Sequence, residues 1–462
     1  MGPPHIVLVH CHDLGKYVGC YGAAVDTPRI DALADEGMRF DRHFVTAPQC
    51  SPSRASLMTG RHPHQNGMLG LAHGNWELGP DERVLPELLA DAGYETHLFG
   101  LQHVTERPDR LGYDRIHSDE SLTTDVPPAV HETARARDVA DDFATMLEDG
   151  DHDSPFFASV GFFELHRVEE DDRFGFEADR YGAPDPDDVE PLEFLPDRPG
   201  IRSDIAEMHG MLDAIDDGVG TILDSIEEAG LTEETLVVFT TEHGLAMPRA
   251  KGTCFDPGIE ATLLMRQPGT LEAGRVVDDL VSNVDVFATL LEIAGTSVSD
   301  VETDSIAGQS FAPLLDGDTD SYDSRDRVFS GMTWHDRYNP IRAIRTERWK
   351  YIRNFWHLPA VYMTTDIYCT RAGREVSEEY YGEQRPYEEL YDLEADPREQ
   401  ENLAASDQPD DPATVAVRDR LREELLEWME TTIDPLLEGP VLPNDWETVH
   451  PRLEDSRDDI WS

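Results

Sequence analysis

Cys50 is the residue whose surroundings could best support covalent chemistry. It stands in Pro48-Gln49-Cys50-Ser51-Pro52-Ser53-Arg54, which runs on into Ala55-Ser56-Leu57-Met58-Thr59-Gly60-Arg61. Ser51 and Ser53 favour a helix N-terminus, Pro52 suits the first helical position, and Gly60 suits the stop. A helix starting here puts Cys50 and Arg54, four apart, on one face. A helix N-terminus with a guanidinium above it lowers a thiol's pKa and prepares an anion site. A lone cysteine is also an ordinary small core residue, so chemistry at Cys50 requires partners.

Those partners are polar clusters that each follow an apolar run. His5–Val9 precedes His12 and Asp13; Tyr94–Gly100 precedes His103; Phe156–Phe163 precedes His166; Leu236–Thr240 precedes Glu242 and His243. Short continuous apolar runs read as buried strands, and ligands bind beyond the carboxyl ends of parallel strands. Helical periodicity separates the runs, most clearly in Ser203–Glu228, with Ile205, Met208, Met211, Leu212, Ile215, Val219 and Ile222 on one face. Strands alternating with helices predict an α/β fold with a mostly parallel central sheet flanked by helices. Beyond a polar linker at 316–327, the segments Val328–Thr333, Ile341–Ile344 and Trp349–Ile352 alternate as antiparallel strands, and Val415–Thr432 reads as a closing helix. We therefore expect a catalytic domain over 1–327 and a smaller α+β domain with a short antiparallel sheet over 328–462. Residues 169–200, rich in Asp and Pro, read as a surface insertion.

Cys-x-Pro-x-Arg followed by Ala-Ser-Leu-Met-Thr-Gly-Arg resembles the core motif of the formylglycine-dependent sulfatases, within the alkaline phosphatase superfamily. The segments Lys251-Gly252-Thr253-Cys254-Phe255-Asp256-Pro257-Gly258, Gly100-Leu101-Gln102-His103, Arg342–Tyr351 and Leu390–Pro397 are similar to further parts of that family. Pro248–Lys251 with Asp256–Gly258 is similar to the branch containing heparan N-sulfatase. The resemblance implies that a formylglycine-generating enzyme oxidises Cys50 to formylglycine, whose hydrated aldehyde carries two hydroxyls. One attacks sulfur and expels the alcohol or amine; the other loses a proton, and sulfate leaves as the aldehyde re-forms. It further implies one divalent metal ion, with Asp13, Glu242 and His243 as candidate ligands, joined by His12 and the modified Cys50. Calcium is the ion the resemblance suggests, but the family pattern has Asp where His12 stands and Asp where Glu242 stands. Imidazole suits transition metals, which leaves Mn²⁺, Mg²⁺ and Zn²⁺ open. Arg54, His103, His166 and Lys251 are the implied catalytic and sulfate-binding residues, while Leu101 replaces an expected lysine. Among only three lysines (16, 251 and 350) in a chain of 38 basic residues, Lys251 offers a compact ammonium that arginine does not copy. His62, His64, His209 and His335 match no role and read as structural or rim residues.

The expected substrate is a small-molecule or carbohydrate sulfate ester, or a sulfamate. Phosphonate or phosphodiester hydrolysis on the same scaffold is one alternative; a non-catalytic binder of sulfated ligands is the other, if Cys50 is unmodified.

Composition narrows the partners. Acidic residues number 95 against 38 basic, for a formal charge of −57. Such a field makes nucleic acid and anionic membranes poor partners. It reads as an acidic surface adapted to high salt, where a Debye length of about 3 Å at ~1 M suppresses self-repulsion. The five cysteines are scattered without zinc-like pairing. With no apolar run of membrane length and a first apolar run too short for a signal core, we expect a cytoplasmic protein in a reducing compartment. The oligomeric state is left open.

Overall fold

The computed structural model describes residues 2–117, 134–150, 152–170, 173–301, 305–405 and 411–443. The central sheet is built from β1 (His5–Cys11), β2 (Met38–Phe40), β3 (Glu95–Gly100), β4 (Arg115–Ile116), β5 (Phe156–Gly161), β6 (Thr235–Thr241), β7 (Leu263–Arg266) and β8 (Arg275–Val277). Its order is β8-β2-β7-β6-β1-β5-β3-β4, and β7 alone runs antiparallel to its neighbours. β1 lies between β5 and β6, with Val7 beside Ala158 on one side and Val237 on the other. Both of its faces are covered, so the continuous apolar run has no exposed side to make polar.

The period-2 alternation of the strands divides the core in two. Val7, Val9, Val237 and Phe239 face one layer, with α1 (Pro28–Asp35), α3 (Ala136–Asp149) and α4 (Pro199–Glu228). Ile6, Leu8, Leu236 and Val238 face the other, with α2 (Cys50–Thr59) and α5 (Asn283–Ile293). Each such aliphatic side chain, once fully buried, contributes on the order of 1.5–3 kcal/mol. α4 is longer than its periodicity suggested, starting at Pro199 in the first turn and burying Ile201, Ile205, Met208, Leu212 and Ile215.

The C-terminal part carries a four-stranded antiparallel sheet of β9 (Arg327–Trp334), β10 (Tyr338–Thr346), β11 (Trp349–Asn354) and β12 (Glu388–Asp392). Ile344, Tyr351 and Leu390 face the closing helix α6 (Pro412–Thr431), meeting Leu421, Leu425 and Met429. Met332, Ile341, Ala343 and Ile352 face the other way and pack on Cys254 and Phe255, just beyond Lys251. This sheet is therefore a wall against which the lysine loop is pressed.

Two expectations need correction. Residues 169–200 are more than surface: Phe176, Val189, Leu192 and Leu195 are buried in the core, so this stretch covers part of α4's apolar face. The sequence also reads as helical over 131–147; α3 starts at Ala136, and residues 131–133 lie outside the described segments.

Candidate active site

β1, β3, β5 and β6 are parallel, so the residues that follow them emerge at one edge of the sheet. His12, Asp13, His103, Glu242 and His243 are brought together there, all buried. His166 joins them half-buried, its ring edge-on to His12 at 5.1 Å between centroids.

α2 delivers Cys50 to the same edge. The helix begins two residues earlier than expected: Cys50 is its first residue, Gln49 is the cap, and no side chain caps it. Ser51 and Ser53 serve tertiary contacts instead. Ser51 Oγ accepts from the Ala72 amide, while the Ser53 hydroxyl donates to the Glu242 carbonyl and accepts from Asn283. Gly60 ends the helix in the left-handed region with φ 65°, and a Cβ there would strike the Phe287 ring. At the far side of the pocket, a Cβ on Gly244 would lie 1.7 Å from the Pro257 carbonyl oxygen, so only glycine lets the β6 exit meet the lysine loop.

The centre of the site is a cluster in which ligating atoms of His12, Asp13, Cys50 and Glu242 all lie within 4.8 Å of one another. His243 Nε2 reaches it as well, 3.4 Å from Cys50 Sγ, 3.1 Å from Asp13 Oδ1 and 3.6 Å from Glu242 Oε1. His243 Nδ1 donates to the Gly244 carbonyl at 2.9 Å, which directs Nε2 into the cluster, where it would ligate an ion that displaces its proton. His12 Nδ1 lies 2.7 Å from Glu242 Oε1, yet neither ring nitrogen makes a well-aligned hydrogen bond, and Asp13 Oδ1 is likewise buried without one. Buried polar atoms that crowd together without bonding one another are the signature of ligands arranged around a shared cation. The donors present therefore fit the divalent ion that the family implies.

The electrostatics agree. Burial raises the Cys50 thiol, but Lys251 and then His243 outweigh it and bring its pKa to about 6. Arg54 is not among the groups that lower it, which corrects the expectation. The guanidinium turns beneath the cluster, 3.1 Å from Glu242 Oε2, 3.1 Å from the Cys11 carbonyl and 2.6 Å from His10 Nδ1. Burial disfavours the Glu242 carboxylate, yet Arg54 and His12 hold it well below the usual range. Burial lowers His243, but Cys50 and Asp13 overcome it and hold it protonated to about pH 10.

Lys251 Nζ lies 3.0 Å from Asp13 Oδ2 and 2.9 Å from Asp366 Oδ2. Asp366 carried no motif and was invisible in the sequence; it comes from the C-terminal part, on the short helix Thr365–Tyr368. His73 was missed too: its ring stacks on His103 at 5.6 Å and is half-buried at the edge of the site. His335 sits near Asp366 at the rim, as expected. His62 and His64 are held edge-on against Trp428, and His209 pairs with Tyr17 at 2.9 Å, away from the cluster. Asp13 and His103 have left-handed backbones (φ 51° and 49°), strain of roughly 1–3 kcal/mol each that is typical of functional sites.

This fold gathers a buried cysteine, histidines and carboxylates at the carboxyl edge of a mostly parallel sheet, where α/β hydrolases place their active sites. Residues 4–296 match the Sulfatase family and residues 242–367 match the C-terminal part of N-sulphoglucosamine sulphohydrolase, so the chain belongs to the sulfatases, hydrolases acting on sulfuric ester bonds. Human N-sulphoglucosamine sulphohydrolase is 28% identical, the similarity covering 95% of this chain and 92% of that protein. Among solved structures, a 2-O GAG sulfatase aligns with a TM-score of 0.71 at 22% identity, covering 96% of this chain and 95% of that one. The phosphonate monoester hydrolase of Agrobacterium radiobacter aligns with 0.70, also at 22% identity, over 94% of this chain and 96% of that one; both likenesses concern the fold.

Proposed function

We propose that this sulfatase hydrolyses sulfate esters or sulfamates of carbohydrates with formylglycine at position 50. The observation that carries the reading is the convergence of Cys50 with His12, Asp13 and Glu242, with Lys251 one contact away. Sγ of Cys50 stands where the hydroxyls of hydrated formylglycine would be. That residue supplies the nucleophilic hydroxyl and the second hydroxyl that releases sulfate, and a divalent ion supplies positive charge beside them.

The chain's own residues do the rest. Asp13 and His12 would hold the ion from the β1 exit, Glu242 and His243 from the β6 exit. Arg54 neutralises Glu242 from below, so that carboxylate stays ionised for its task. Lys251 presents a compact positive charge to a sulfate oxygen. His166 Nδ1, 2.7 Å from the Arg167 carbonyl, keeps its proton there and turns Nε2 toward the pocket. Burial, with Lys251 nearby, lowers His166 to about 3. An arriving sulfate adds negative charge that favours the protonated ring, from which Nε2 can donate to the leaving oxygen or nitrogen. Two imidazoles in the donor set favour Mn²⁺ or Zn²⁺ over Ca²⁺, whose sites are built from oxygen.

Turnover of an aryl sulfate, an aryl phosphonate and a phosphodiester should be compared in high salt, with peptide mass spectrometry across residue 50. Preference for the sulfate with a formylglycine mass is expected. Unmodified cysteine in protein from its native host would sink the mechanism.

A further inference from the structure

We propose that Arg167 is a positioning residue for the leaving-group acid: its buried guanidinium holds the backbone from which the His166 ring is aimed. The inference rests on the sulfatase reading above, in which His166 protonates the departing atom. Among the described residues the His166 ring has one hydrogen bond, from Nδ1 to the Arg167 carbonyl at 2.7 Å. That carbonyl therefore sets both the tautomer of the ring and the direction of Nε2. Arg167 itself is only 1% exposed. Its Nε donates to the Ala246 carbonyl at 2.9 Å, and Nη2 lies 3.1 Å from Asp204 Oδ2 and 3.4 Å from Met247 Sδ. The guanidinium carbon stands 3.9 Å from the centre of the Phe176 ring. One planar group thus ties the β5 exit to the β6 exit and to α4, which the single point charge of a lysine cannot do.

The surroundings show what this arrangement is for. Asp204, fully buried on α4, also accepts from the Ala372 amide at 3.2 Å and lies 3.9 Å from Arg371. Beyond it Glu207 meets Arg371 and Arg173, and Arg173 meets Glu170. Three guanidiniums face three carboxylates, so the network leaves no net charge for a ligand to neutralise. Stability alone does not call for the arginine either. Desolvating such a pair costs about as much as its attraction returns, and an apolar pair of similar volume is often as stable. Arg167 Nη1 and Asp204 Oδ1 are buried without well-formed bonds, which adds to that cost. What an apolar side chain cannot supply is a fixed direction for residue 167. The β6 exit serves as the anchor, because other bonds fasten it. The Ala246 amide donates to the Asp13 carbonyl at 3.3 Å, the Lys251 amide to the Leu245 carbonyl at 3.1 Å and the Gly252 amide to the Pro48 carbonyl at 2.8 Å. Loss of Arg167 therefore falls on His166 and leaves Lys251 in place, and it matters only where the leaving atom needs a proton.

The test uses the full chain with formylglycine in place and two esters of similar shape. 4-Nitrophenyl sulfate releases a stabilised anion that departs without a proton; phenyl sulfate releases a more basic one that gains from a general acid. The Arg167→Met, Asp204→Asn double variant removes the ion pair without stranding either charge. Its kcat/KM on phenyl sulfate should fall by about 10- to 100-fold, the scale on which misplacing a catalytic acid acts. On 4-nitrophenyl sulfate it should change by less than about 3-fold. In a His166→Gln background, with no acid left to place, the same double change should cost less than about 3-fold further on either ester. If the double variant melts early, Arg167→Lys carries the same expectation, since it keeps a cation beside Asp204 but cannot bond Ala246 and Asp204 together. Equal losses on both esters, or a full loss that persists in the His166→Gln background, would overturn the proposal, because Arg167 would then act on the fold or on Lys251. Wild type that hydrolyses neither ester would sink the sulfatase reading, and this inference with it.

Discussion

At the residue scale, the site turns on substitutions that look conservative and are not. Lys251→Arg keeps the charge, but a wide guanidinium cannot sit between Asp13 and Asp366 and still reach one sulfate oxygen. We expect kcat/KM for aryl sulfate to fall by roughly 100-fold, the cost of losing one positioned charge-stabilising donor. Undiminished activity would remove Lys251 from the site. The His12→Asp, His243→Asn double variant makes the donor set all-oxygen apart from position 50. Elemental analysis of the purified proteins should then find the bound ion shifted from Mn²⁺ or Zn²⁺ toward Ca²⁺. Calcium in wild type would contradict the metal assignment. Cys50, Asp13 and Lys251 were legible in the sequence because their types and flanking residues are informative. Asp366 and His73 were not, because neither follows a strand or a motif; only the packing of distant segments makes them neighbours.

At the element scale, the lysine loop is pinned from both sides. Lys350 on β11 reaches Asp256 and lies 2.7 Å from Glu399, while Arg345 on β10 is 3.2 Å from Asp256. Lys16 lies 3.0 Å from Glu260 at the loop's end. All three lysines of the chain thus bear on residues 251–260, which the sparse use of lysine hinted at for Lys251 alone. Lys350→Met leaves Asp256 and Glu399 buried without their shared cation, and we expect about 3–5 kcal/mol of destabilisation in chemical denaturation. Adding Glu399→Gln should recover part of it; no recovery would show that the cost is not electrostatic. His43, fully buried at the base of the same loop, gives a pH dependence. Burial lowers its pKa from 6.5 to about 4, against the weaker effect of the Ala261 carbonyl 3.1 Å away. The unfolded chain takes up this proton below about pH 6.5 while the folded chain waits until about 4. The contribution to stability is therefore complete above 6.5 and is lost as pH falls toward 4. His43→Gln should flatten that decline in denaturation midpoints measured from pH 7 to 4.

At the scale of the whole molecule, charge dominates. With a formal charge of −57, self-repulsion acts over a Debye length of about 10 Å in 0.1 M salt and about 3 Å at 1 M. We expect the midpoint of thermal unfolding to rise steeply between 0.1 and ~2 M KCl, followed by circular dichroism; full stability in dilute buffer would contradict adaptation to salt. Among the described residues no helix is long and apolar enough to cross a membrane.

The parallel sheet, the helix carrying Cys50, the polar clusters at strand ends and the antiparallel C-terminal strands were all readable from the residues. Apolar periodicity and strand direction are local properties, and in a parallel sheet they alone send His12, His103, His166 and Glu242 to one edge. Helix starts shifted by a residue or more, because Ser51 and Ser53 found tertiary partners that outbid local capping. The orientation of Arg54 beneath Glu242, the burial of residues 169–200 and the arrival of Asp366 at Lys251 were set by packing. These depend on which distant surfaces meet, and no spacing along the chain encodes that.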